Sequence, residues 1–117
     1  MTSVTNPLIS SVDVNGTDVY NYNGEHIGDI DHLVIEKVSG KVAYAVIGFG
    51  GFLGMGEDHH PIPWGSLKYD LEKDGYVCGV TREQLEGAPE RVESWDRDRR
   101  WEERTHKHYG VPYYWGI

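Results

Sequence analysis

The chain is poor in the residues on which several chemistries depend. Among its 117 residues there is one cysteine, Cys78, so no intramolecular disulfide can form. Set in the strand-like run Tyr76-Val77-Cys78-Gly79-Val80, it reads as a buried, inert thiol compatible with a reducing compartment. Positive charge is scarce: 11 Lys and Arg stand against 19 Asp and Glu, a net charge of -8. The imbalance is concentrated in residues 1–81, with 11 acidic and 4 basic side chains, a field that repels phosphate backbones and argues against nucleic-acid partners. No apolar run approaches the ~20 residues of a membrane-spanning helix. No charged start followed by an apolar core and a cleavage site is present either, so a soluble, cytoplasmic protein without membrane insertion is expected.

Catalytic and cofactor signatures are missing too. The run Gly48-Phe49-Gly50-Gly51-Phe52-Leu53-Gly54-Met55-Gly56 invites a nucleotide reading, but Leu53 stands where a dinucleotide fingerprint needs its third glycine. Neither G-x-x-x-x-G-K-[ST] nor the G-x-S-x-G nucleophile elbow occurs. No cofactor and no catalytic residue is assigned, and the expectation is that the protein is not an enzyme.

What the chain does have is β-sheet punctuation. The fifteen glycines and eight tyrosines fit a turn-rich β protein. A strand is expected over 16–22, with Asn23-Gly24 turning it into a long strand over 27–38. The apolar residues Leu33, Val34 and Ile35 follow one another, which reads as entry into a core buried on both sides. Ser39-Gly40 supplies the next hairpin turn, and 42–49 returns with small Ala43, Ala45 and Gly48 between bulky neighbours, as a tightly curved sheet requires. Pro61 and Pro63 remove amide donors and place their segment at an edge or rim. Trp64 reads as a core plug. Strands over 67–71 and 76–80 follow, joined at Asp74-Gly75. Thr81 and Gln84 have capping-box spacing for a short helix ended by Gly87 and Pro89, and a second helix is expected over 95–108, started by Ser94 or Asp96.

The order of these elements resembles the PRC-barrel domain. The resemblance lies in G-E-H-I-G-D-I-D-H-L-V-I, S-G-K-V-A-Y-A-V, G-G-F-L-G-M-G and P-I-P-W-G-S-L, and it runs from about Val14 to Pro89. It implies an all-β, small antiparallel barrel with a C-terminal helical extension and aromatic tail. Three regions follow: a flexible lead-in at 1–13, the barrel at 14–89, and the helix with its tail at 90–117. The module is known from the bacterial photosynthetic reaction-centre H subunit and the ribosome maturation factor RimM, and such members dock and assemble rather than catalyse. The resemblance therefore implies an adaptor with an unknown protein partner. A role in ribosome or RNA maturation, or in reaction-centre-like assembly or electron transfer, is the alternative.

Candidate interaction residues fall in three places. Phe52, Leu53 and Met55 on the glycine loop either cap the barrel or meet a partner, with a homodimer or higher homo-oligomer as one outcome. Trp64 offers a stacking platform if it is not core. Trp101, Tyr109, Tyr113, Tyr114 and Trp115 give the C-terminal segment an apolar side too narrow for a free helix, so it is expected to dock on its own barrel or a neighbour's. His26, Asp29, Asp31, His32, Glu57, Asp58, His59 and His60 are the only residues clustered as metal ligands. On a regular strand Asp31 and His32 diverge, so a solvated acidic rim is expected and no metal.

Overall fold

The computed structural model describes residues 7–50, 58–91 and 93–115. Within these residues six strands form one sheet: β1 (Asp18–Tyr20), β2 (His26–Ile35), β3 (Val42–Phe49), β4 (Asp58–Pro63), β5 (Leu67–Asp70) and β6 (Gly75–Cys78). They lie in the order β4-β3-β2-β1-β6-β5. Consecutive strands β4 and β5 thus occupy opposite edges, yet only the 3₁₀ turn Trp64–Ser66 joins them. The sheet must curl until its edges approach, giving a half-barrel whose concave side holds Val19, Ile27, Ile30, Ile47, Phe49 and Ile62. Gly28 lets β2 and β3 approach closely, because a Cβ there would lie 2.3 Å from the Gly48 carbonyl oxygen.

The hairpin signals differ in detail from their outcomes. At Asn23-Gly24 the Asn21 carboxamide oxygen accepts from the amides of Asn23 and Glu25, which closes a tight β1–β2 loop. The β2–β3 turn spans four residues, 37–40, rather than two: the Glu36 amide bonds Lys41 O and the Gly40 amide returns to Glu36 O. β2 accordingly stops at Ile35, which is 47% exposed, and Val38 is 97% exposed at the tip. The strand buried on both faces is β3, not β2, since only β3 is overlaid by a second layer. One pairing departs from the antiparallel expectation: β1 and β6 run parallel, with Val19 opposite Tyr76. Long-range pairing of this kind leaves no turn signature in sequence.

Among the described residues three α-helices surround the sheet. α1 (Ser11–Val14) is a single turn across the boundary between the lead-in and the barrel, and it buries Val14 against the core. α2 (Arg82–Glu86) carries the full Thr81/Gln84 capping box and plugs the barrel with Leu85. The second expected helix begins later than the sequence suggests. A 3₁₀ turn at Trp95–Arg97 precedes α3 (Arg99–Tyr109), because the Asp98 carboxylate, rather than Ser94 or Asp96, accepts from the amides of Arg100 and Trp101.

Candidate functional site

The two outer faces of the half-barrel carry different surfaces. Over β3, the C-terminal segment lies on its own barrel. Tyr44, 2% exposed, projects outward from β3 into rings contributed by Trp95, Trp101, His106 and Tyr114, all with centroids 5.4 to 5.9 Å away. At the centre sits Glu102, whose Oε1 accepts from the Tyr44 hydroxyl at 2.9 Å and from the Tyr114 hydroxyl at 2.6 Å. Its other oxygen faces Arg99 at 3.3 Å. The Arg99 guanidinium also covers the Trp115 ring at 3.7 Å, and Trp115 stacks on Tyr113 at 4.5 Å. A buried carboxylate is costly unless it is paired and hydrogen-bonded, and here three donors meet it. Burial, and then the Glu102 carboxylate, push both tyrosine hydroxyls well above their ordinary range.

Smaller contacts hold this layer in place. His106, 1% exposed, bonds the Glu102 carbonyl through Nδ1 at 2.7 Å, and His108 bonds the Gln84 carbonyl at 2.6 Å, tying α3 to α2. Arg91 donates to the carbonyl of His59 on β4. On α3 itself, Arg99 pairs with Glu102 three residues on.

The outer face of β5 and β6 is not overlaid in this way. It bears a groove of about 480 Å³ with Lys68, Val77 and Gly79 on its floor. Tyr22 stands at one side and Tyr109 with Val111 at the other. Tyr22 is 81% exposed, yet its ring lies so close over Gly79 that a Cβ there would fall 2.4 Å from Cε2. Glycine at 79 is what lets this aromatic wall settle onto the sheet. The Tyr109 hydroxyl is buried with no hydrogen-bond partner among the described residues, and burial pushes its titration up. Cys78 lies beneath, fully buried, its thiol raised to about 11 by desolvation, which is the behaviour of a packing residue and not of a nucleophile.

The histidine and aspartate cluster sits at a third place. A register shift between Ile30 and His32 turns the expected divergence into proximity: His32 Nδ1 lies 2.7 Å from Asp31 Oδ2, and His59 Nε2 lies 3.8 Å from Asp31 Oδ1. The hydrogen bond to His32 holds Asp31 below the usual carboxylate range. All three side chains are about half exposed. Among the described residues no three His, Cys, Asp or Glu side chains are arranged to hold a metal.

Of the candidate interaction residues, Trp101 is buried, and Tyr109, Tyr113, Tyr114 and Trp115 are half-buried. Trp64 is half-buried against the main core, its ring 5.4 Å from Tyr76. Phe52, Leu53 and Met55 lie outside the described residues. Sequence reasoning missed Tyr44, Glu102 and His106 as the hub of the covered face, and Tyr22, Lys68, Val77 and Gly79 as the groove. The available signal for the first was a bulky tyrosine among small residues on β3.

A curled six-stranded sheet with one helical turn before it and a capped helix after it defines the architecture of a barrel module. The PRC-barrel domain model matches residues 7–85, and the chain belongs to that family. No curated protein matches the chain. Neither α3 nor the aromatic tail falls within the matched residues. No helix among the described residues is long and apolar enough to cross a membrane.

Proposed function

We propose that this protein is a non-catalytic docking module that receives another protein on the outer face of β5 and β6. The groove of about 480 Å³ beside the edge strand β5 carries this reading. It combines an exposed aromatic, Tyr22, with an apolar floor at Val77 and polar groups at Lys68 and Asp70, the mixture by which interfaces gain both area and orientation. The opposite outer face supports the same division of labour, because the chain's own aromatics already fill it.

The test is affinity recovery from native lysate with the full chain and with Val77→Arg, compared by mass spectrometry. A charged, bulky side chain on the groove floor is expected to abolish recovery of the specific partner while the thermal unfolding midpoint stays within a few degrees. Recovery of the same proteins by both chains would contradict the assignment of this face.

A further inference from the structure

The two sheet edges are finished differently. β4 carries Pro61 and Pro63, which have no amide to offer, and Arg91 binds its His59 carbonyl. Among the described residues β5 pairs with β6 alone, its register is regular, and it contains neither proline nor bulge. Its sequence continues into the turn as Leu67-Lys68-Tyr69-Asp70-Leu71. Read in reverse, that segment is its own complement: leucine answers leucine, lysine answers aspartate, and tyrosine lies at the centre.

We infer that a second copy of this chain pairs with the first along β5, antiparallel and about a two-fold axis at Tyr69. This deepens the docking proposal above, on which it rests, by naming one occupant of the β5 side. In that register Lys68 of each copy lies opposite Asp70 of the other, and Tyr69 opposite Tyr69. Directly opposed side chains in an antiparallel pair have Cβ atoms about 4.5 to 5.5 Å apart, close enough for two reciprocal ion pairs. Alternation places Lys68 and Asp70 on one face of the strand, so both ion pairs form on the groove side. Shifting the axis to Asp70 sets two aspartates against each other, and shifting it to Lys68 opposes two lysines; charge therefore selects the Tyr69 axis. A lone lysine on an edge strand repels a second copy of that edge. Asp70, two residues on, converts repulsion into attraction in this one register. Tyr69 at 37% and Leu71 at 48% exposure are the apolar area the pairing covers, and an isologous contact of this kind closes as a dimer instead of propagating.

The experiment is the solution mass of the full chain, by sedimentation equilibrium, for the native protein, Lys68→Glu, Asp70→Lys and an equal mixture of the two variants. The native chain is expected to be a dimer. Each variant alone opposes like charges across the axis and is expected to dissociate at least tenfold more readily. The mixture restores both ion pairs and with them the dimer, as a heterodimer. Because the Asp70 carboxylate also accepts from the amides of Glu72 and Lys73, Asp70→Lys is checked for folding by circular dichroism. Tyr69→Cys supplies an independent readout, since a cysteine on the axis joins its own symmetry mate under mild oxidation while the native Cys78 stays buried. A native chain that remains monomeric at its highest soluble concentration, variants that stay dimeric, or no cross-link at position 69 overturns the inference. A monomer that still loses its lysate partner on Val77→Arg would sink the homodimer and leave docking standing. A β5 dimer with recovery unaffected by Val77→Arg would do the reverse.

Discussion

The outer faces of one curved sheet have been finished in opposite ways. On β3 the outward residue is Tyr44, 2% exposed under α3 and the aromatic tail; on the β5–β6 side the floor is Val77 and Gly79, open beneath an 81% exposed Tyr22. The covered side invests a carboxylate, two phenols, a guanidinium and a ladder of rings in contacts within the chain. The open side leaves its aromatic and its charges to whatever approaches. The lesson is that a barrel's strands do not decide which outer face stays open; the element added after the barrel does.

Breaking the covered side at its root should produce the largest effect. Truncation after Pro89 removes every ring that shields Tyr44, and an aromatic buries roughly 150 to 250 Å² worth ~25 cal/mol per Å². The expected outcome is a melting temperature lowered by more than ten degrees, or a chain that aggregates through the uncovered β3 face, read by thermal unfolding with light scattering. Stability equal to the full chain would mean the cover is not structural.

Next in size is Glu102→Ala, which leaves the Tyr44 hydroxyl buried without its acceptor and Arg99 without its partner. Leaving a buried hydroxyl without its acceptor costs about 1 to 3 kcal/mol, so chemical denaturation should show a clear loss at unchanged denaturant slope. Glu103→Ala, on the exposed side of the same helix, is the control expected to change stability by no more than ~0.5 kcal/mol.

Alkaline pH attacks the same side more gently. Tyr44, Tyr114 and Tyr109 titrate above their ordinary range in the folded chain, while in the unfolded chain a tyrosine ionises near ~10. Between those values the folded state holds protons the unfolded state has released. Their stabilisation is therefore complete below about pH 10 and is lost as pH rises beyond it, with Cys78 contributing from about pH 9 up to about 11. Melting temperature followed across that window should fall, and Tyr44→Phe should flatten the decline while costing about 1 to 3 kcal/mol at neutral pH.

The open side should tolerate the change the covered side cannot. Gly79→Ala meets only the movable end of the Tyr22 ring, so thermal unfolding is expected to shift by a degree or two while nuclear magnetic resonance shows Tyr22 displaced and the groove reshaped. An Ala at Gly28 would instead meet a backbone carbonyl at 2.3 Å, and overpacking of that kind typically costs ~1 to 3 kcal/mol.

Much of the barrel was legible because local chemistry and global fold agree there. The β3 limits, the capping box at Thr81 and Gln84, and the edge position of Pro61 and Pro63 each follow from a residue acting on its own neighbourhood. The parallel β1–β6 pair was illegible because nothing near Val19 encodes Tyr76 as its neighbour. The bulge at Asp31 hid for a related reason: strand alternation separates Asp31 from His32, and only the register shift against β3 brings them together. Glu102 looked like one more charge on a solvated helix, since the tyrosines that bury it lie 58 residues before and 12 after. The groove was harder still, being built from an exposed loop tyrosine, the glycine that follows β6 and the end of a distant helix.

The division between faces can be read in one experiment that places a photo-cross-linking amino acid at Tyr22 on the open side and, separately, at Arg104 on the exposed surface of α3, each in the full chain in its native lysate. Adducts to other protein chains at position 22 and none at position 104 are the predicted result. Adducts at 104 with none at 22 would mean that partners meet the C-terminal layer, and that the groove is not where this protein docks.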